Sequence, residues 1–261
     1  VPATAADGAL PTARRLGRLA WTEVERLLAT APRTAVVPLG STEQHGPHLP
    51  LATDTLIAEA LAERFCARVE EAIQCPVVAL GCASEHMAFP GTLDVAAGTL
   101  AALLTDLVRS LRAHGFARAF VFSAHGGNCA ALAAALPALC EAAAPMQMTA
   151  FTDLDALTAA LHQTAAALGV APEAAGHHAG EIETSIMLAL RPGAVNATAL
   201  AAGYTQPAAD AQALFYPSLR DSAPTGTVGD PRAAAAARGE RYLTAWVELL
   251  VAAYRGEKNR Q

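Results

Sequence analysis

Aromatic side chains are scarce in this chain: Phe, Tyr and Trp make up 5% of 261 residues, although 53% are apolar. Alanine supplies much of the apolar share, so the core should be aliphatic, with small residues letting helices pack closely on a sheet. Cysteine is sparse as well. Cys66, Cys75, Cys82, Cys129 and Cys140 are odd in number and contain no C-x-x-C pair. This argues against a disulfide framework or a structural zinc knot and fits a reducing cytoplasm. Positive charge is nowhere concentrated: 18 Lys and Arg stand against 24 Asp and Glu, net −6. With no basic run to neutralise phosphates, nucleic acid is not expected as a partner. Long apolar runs are missing too. The most apolar stretch, Cys129 to Cys140 with the tail of the preceding strand, is too short for a bilayer and carries Pro137, so it reads as a buried helix and no membrane partner is expected. Arg14-Arg15 lacks the apolar stretch of an export signal, because Arg18 interrupts it.

What is present is an alternation of short β-type runs and helical stripes. Residues 1–20 have no periodicity and read as a loose arm; residues 21–261 read as one domain. Trp21 to Glu25 starts a short helix. Thr34 to Leu39, Pro76 to Leu80, Arg118 to Ser123 and Met146 to Phe151 read as buried strands. Helices are expected from Asp54 to about Glu71, Gly98 to Ala113, Cys129 to Glu141, Asp155 to Leu168, Ile182 to Leu190 and Pro231 to Tyr254, with His114-Gly115 as a stop signal. Strands separated by helices imply right-handed crossovers and a mainly parallel sheet, an α/β fold built as a three-layer α/β/α sandwich. Ligands should bind beyond the carboxyl ends of the strands.

Three loops carry the chemistry. The first strand runs into G-S-T-E-Q-H-G-P-H-L-P-L-A-T-D, residues 40–54. Glu43 and His45 are two apart, so in extended chain they leave the same side, and the Gly46-Pro47 turn lets the chain return with Asp54. The bland alternative makes Asp54 a helix cap, Glu43 a solvated carboxylate and His45 a packed loop residue. After the third strand comes S-A-H-G-G-N, which puts His125 at a strand end where Gly126 and Gly127 let backbone approach a ligand. Both loops should emerge on one sheet edge, so carboxylates and imidazoles would converge there as metal ligands. A third cluster, G-H-H-A-G-E-I-E-T-S at 176–185, offers a further ligand and a proton carrier.

Together these segments resemble the creatininase family in order and approximate spacing, over roughly residues 34–250. Ser84 to Thr92 is similar to the family's second active-site loop. The resemblance implies the α/β/α fold, a dinuclear divalent-metal site, hydrolysis of amide-like bonds in small molecules and a homohexamer. Carried over, Glu43 and His125 would hold one ion, His45 the other, and Asp54 both, with His178 polarising substrate or passing a proton. Zinc, manganese and iron all suit such donors. Where the family has a glutamate two residues past the His125 position to complete the second site, this chain has Gly127. Glu181 is the replacement expected as ligand and catalytic group, Glu183 is its competitor, and a mononuclear site is the other alternative. Ser84, Glu85, His86, Gly126, Gly127, Asn128 and His177 are the substrate-binding candidates.

Creatininase closes over its ring with tryptophans, whereas Trp21 and Trp246 lie outside the expected lid, about 150–178. Creatinine is therefore a poor fit. H-G-G-N and Gly229-Asp230-Pro231 resemble instead the branch that includes mycofactocin-system creatininase-like peptidases. Other readings are a hydrolase of keto-inositols or formamides, a thiol hydrolase with Cys129 activated by His125, and a non-catalytic metal-binding subunit.

Overall fold

The computed structural model describes residues 14–206 and 211–256. Four parallel strands, β1 (Thr34–Leu39), β2 (Ala72–Gln74), β3 (Arg118–Ser123) and β4 (Gln147–Phe151), form a sheet in the order β2-β1-β3-β4. The α-helices are α1 (Trp21–Thr30), α2 (Thr53–Arg68), α3 (Ala97–Ala113), α4 (Gly127–Ala143), α5 (Leu154–Ala167), α6 (Pro172–Ala175), α7 (Glu181–Leu190), α8 (Ala211–Phe215), α9 (Leu219–Ser222) and α10 (Ala236–Arg255).

Period-two alternation along the strands divides the core in two. Val36, Phe120 and Phe122 face Phe65 of α2, Leu161 of α5, Ile186 of α7 and Trp246 of α10. Ala35, Val37, Leu39 and Val121 face Leu104 of α3 and Leu132 and Leu139 of α4. The sheet is thus covered on both faces, which is why its strands read as unbroken apolar runs.

The second strand departs from expectation. Residues 76–80 were expected to form it, but the ladder to β1 runs at 72–74. Pro76 has no N–H to donate, and beyond it only a single bridge, Leu39 to Val78, continues the pairing. The closing helix also begins later than Pro231: Asp230 caps a separate 3-10 turn at Pro231–Ala233, and α10 starts at Ala236. Within the arm expected to be loose, residues 1–13 lie outside the described residues, while from Arg14 onward the chain is tied down. Arg15 pairs with Glu59 and Glu63 on α2 at 2.8 and 2.6 Å, and Gln74 N–H donates to Arg14 O.

Leu39 and Ser123 are register partners, so the loops after β1 and β3 leave the same edge side by side. Asn128, fully buried, stitches them. Its Oδ1 accepts from Cys82 N at 2.9 Å, and its Nδ2 donates to Gly40 O at 3.0 Å and Ser123 Oγ at 3.1 Å. Asn128 was a substrate-binding candidate; its amide is already used by three loops, which makes it a structural bracket. Asn128→Ala strands a buried N–H and a buried carbonyl, each worth about 1–3 kcal/mol. Urea denaturation should show a loss of about 2–6 kcal/mol, and an unchanged midpoint would refute the bracket.

Candidate metal centre

Beyond β1 the chain doubles back because Glu43 N–H donates to Leu51 O at 3.0 Å and Gly46 turns it at φ 65°. That return delivers Asp54 in the first turn of α2, where Thr55 Oγ1 holds Ser41 O at 2.9 Å. The four side chains singled out in the sequence meet. His45 Nε2 lies 3.1 Å from Asp54 Oδ1, and His125 Nδ1 lies 3.1 Å from Glu43 Oε2 and 3.4 Å from Asp54 Oδ2. None is more than 5% exposed. The bland reading of three unrelated loop residues does not survive this convergence.

Both rings are oriented from behind by backbone. His125 Nε2 donates to Cys82 O at 2.7 Å, and His45 Nδ1 faces Glu43 O at 3.2 Å. Each ring thereby turns its other nitrogen toward the carboxylates, the arrangement that presents imidazole lone pairs to a metal. Glu43 Oε1 and Oε2 and Asp54 Oδ2 are buried without a hydrogen-bond donor. A carboxylate left so is costly unless a cation satisfies it.

The protonation behaviour has the same cause. Burial opposes charge on His45, yet Asp54, Glu183 and Glu43 overcome it and raise the ring to about 10. His125 is raised well above an ordinary imidazole by Glu43 and Asp54, again against burial. Burial pushes Asp54 upward, but the two rings outweigh it and hold it well below the usual carboxylate range. The cluster draws in positive charge, which a divalent ion supplies in compact form. Glu43, His45 and Asp54 present donor atoms within 4.8 Å of one another, and so do His45, His178 and Glu183.

The third segment resolves the two glutamates against expectation. Glu181, expected as fifth ligand and catalytic group, is not brought to the cluster. Its Oε1 accepts from Ser185 Oγ at 2.7 Å and Arg238 Nε at 2.6 Å, and its Oε2 accepts from Tyr242 OH at 2.6 Å. It is a neutralised carboxylate locking α7 to α10. Glu183 faces the cluster instead, 4.0 Å from His45 Nε2, with Ala179 N–H on its other oxygen. Burial, reinforced by Asp54 and Glu43, lifts it to about 7 against the pull of His45.

His178 stands between the rings of His45 and His86, at 4.3 and 4.5 Å, with Nε2 donating to Gln44 O at 2.8 Å. Burial, with the nearby rings, keeps it well below the usual imidazole range. Its loop is seated by close backbone contact: Val228 N–H donates to His178 O at 2.8 Å, and a Cβ on Gly229 would meet Gly180 Cα at 2.8 Å. That is the structural meaning of the Gly229-Asp230 segment.

Of the remaining candidates, Glu85 and His86 are buried at the cluster, His86 Nε2 being 3.3 Å from Glu43 Oε1. Ser84 is exposed beside them, and Gly126 and Gly127 border the site half-buried. His177 is turned away and stacks on His162 at 5.0 Å. Cys129 does not suit a nucleophile: burial pushes its thiol up to about 11, and His125 is engaged with Cys82 O and the carboxylates. Sequence reasoning missed Gln44, whose Nε2 lies 2.8 Å from His86 Nδ1. It also missed the roof, Phe215, whose ring stands edge-on to His86 and His178 at 6.2 Å. The lid was expected at 150–178. Hollows of about 430 and 590 Å³ near Arg118 and Glu71 lie at the amino ends of the strands, away from this chemistry.

A family model described as creatinine amidohydrolase matches residues 17–254. The mycofactocin precursor peptide peptidase of Mycobacterium tuberculosis is 35% identical over 248 residues, 89% of this chain and 88% of that protein. A manganese creatininase structure superposes with TM-score 0.76 at 26% identity, covering 94% of this chain and 98% of its own. A zinc–zinc creatininase superposes with TM-score 0.77 at 24% identity, covering 93% and 97%.

The two glutamates should separate experimentally. Glu181→Gln should lower unfolding free energy by about 1–3 kcal/mol while leaving metal content unchanged. Glu183→Gln should do the reverse, weakening metal retention at least tenfold in chelator competition. Equal metal loss in both would contradict the placement.

Proposed function

This chain belongs to the creatininase family, and from that premise we propose that it is a divalent-metal-dependent hydrolase cutting an amide bond in a short peptide. The observation carrying the metal reading is Asp54: Oδ1 faces His45 and Oδ2 faces His125, with Oδ2 lacking any donor. In this reading Glu43, His125 and Asp54 hold one ion, and His45, Asp54 and Glu183 hold the other. The donors are carboxylate oxygen and imidazole nitrogen, which accept zinc, manganese or iron.

Two divalent ions held by these residues would supply Lewis acidity for the scissile carbonyl and for a water molecule. Everything else falls to the chain. Gln44 fixes the His178 ring, which burial keeps neutral, so its other ring nitrogen can accept a hydrogen bond from the substrate. Phe215 stands edge-on to His86 and His178, with the exposed Tyr216 next to it, where substrate would lie.

The peptide assignment is supported by similarity to the mycobacterial peptidase along nearly the whole chain. It is supported too by the positions of the tryptophans: Trp21 is 75% exposed on α1 and Trp246 is buried in α10, so neither is offered to a flat creatinine ring. The same proposal includes the homohexamer implied by the resemblance and a cytoplasmic setting. No described helix is long and apolar enough to cross a membrane.

Metal analysis followed by assays on short peptides, formamides and lactams tests the reading. Two ions per chain are expected, with peptide cleavage abolished by chelator and restored by zinc or manganese. Asp54→Ala should fold yet lose both metal and activity. Cleavage that survives chelation, or full activity of metal-replete Asp54→Ala, would refute it.

A further inference from the structure

We propose that Glu85 is the catalytic carboxylate of this site, accepting a proton from the attacking water and returning it to the departing nitrogen. The inference rests on the hydrolase reading above and assigns the proton step to a residue outside the ligand set.

Glu85 is 4% exposed, yet among the described residues no Lys or Arg pairs with it. Its neighbours are Ser84 Oγ at 3.5 Å and His86 Nε2 at 3.8 Å. The contrast with Glu181 is instructive: that equally buried carboxylate is neutralised by Arg238, Tyr242 and Ser185. A buried carboxylate without such partners costs stability and persists where function requires it. Glu85 lies outside the donor groups formed by Glu43, His45 and Asp54 and by His45, His178 and Glu183, and its proposed place is beside the ions rather than on them.

Its position is coupled to Gly127. A Cβ there would collide with Cys82 O and His125 Nε2 and lie 3.1 Å from Glu85 Oε1. The 81–86 loop lies against the start of α4, so a carboxylate on that loop occupies the space beside Gly127. The turn is held firmly. Cys82 N–H donates to Asn128 at 2.9 Å, Ala83 N–H to Asp94 Oδ1 at 2.8 Å, and His86 N–H to Ala83 O at 3.0 Å. Gln44 contacts His86 Nδ1, so His86 turns its Nε2 toward Glu43 at 3.3 Å and keeps the adjacent carboxylate in place. Burial pushes the Glu85 carboxyl upward, which suits a group that must release the proton it gains.

The step balances. Glu85 takes one proton as the water oxygen bonds to the carbonyl carbon. When the C–N bond breaks, that proton passes to nitrogen, giving a carboxylic acid and an amine with the glutamate regenerated.

The test compares metal-loaded wild type, Glu85→Gln and Glu85→Ala on a cleaved peptide, with circular dichroism and chelator-competition metal affinity read on each. Glu85→Gln should keep fold, metal affinity and KM within about twofold while kcat falls about 10²–10⁴-fold. Formate added to Glu85→Ala should raise its rate. A kcat near that of the wild type, or a parallel loss of metal affinity, overturns the assignment. The wild type reports separately on the parent reading. If it is loaded and cleaves no amide, that reading fails and takes the Glu85 role with it. If it is active and chelator-sensitive beside an equally active Glu85→Gln, the Glu85 role alone fails.

Discussion

Negative charge buried at the carboxyl end of the sheet is the constraint around which this protein is organised. Glu43, Asp54 and Glu183 converge on two imidazoles, and three of their oxygens meet no hydrogen-bond donor. Desolvating such groups is expensive, and no arginine or lysine among the described residues pairs with them. The rings respond by becoming strongly basic, so the cluster is matched to positive charge entering from outside the chain.

Holding like charges together requires a scaffold that does not relax away from them. Asn128 binds three strand-end loops to one amide, and backbone carbonyls of Glu43 and Cys82 fix the two rings. On the other side, Glu181 anchors α7 to α10 through Arg238 and Tyr242, which sets the rotation of α7 and so aims Glu183. Glycines 176, 180 and 229 let the loop carrying His178 pack backbone against backbone. The polar residues around the centre therefore divide into those that face it and those that hold it still.

Much of this was legible in the sequence. The strands at 34–39 and 118–123 have the bounds their apolar runs suggested, and their adjacency brought Glu43 and His125 to one edge. The strand expected at 76–80 was misplaced because apolar content is not pairing capacity: Pro76 cannot donate to the ladder, while Ala72–Gln74 can. The roof was missed because Phe215 lies in a loop-rich stretch whose course no periodicity reports.

By itself the sequence determined the α/β class and the meeting of Glu43, His45, Asp54 and His125 at one edge of the sheet. Local spacing suffices there, since each follows a strand or opens a helix. Tertiary structure alone decided between Glu181 and Glu183 and gave Asn128 and Glu85 their surroundings. Side chains two apart on a helix point to nearly opposite sides. Which of them meets the cluster is therefore set by the packing of α7 on α10, a contact between segments some sixty residues apart that no local pattern encodes.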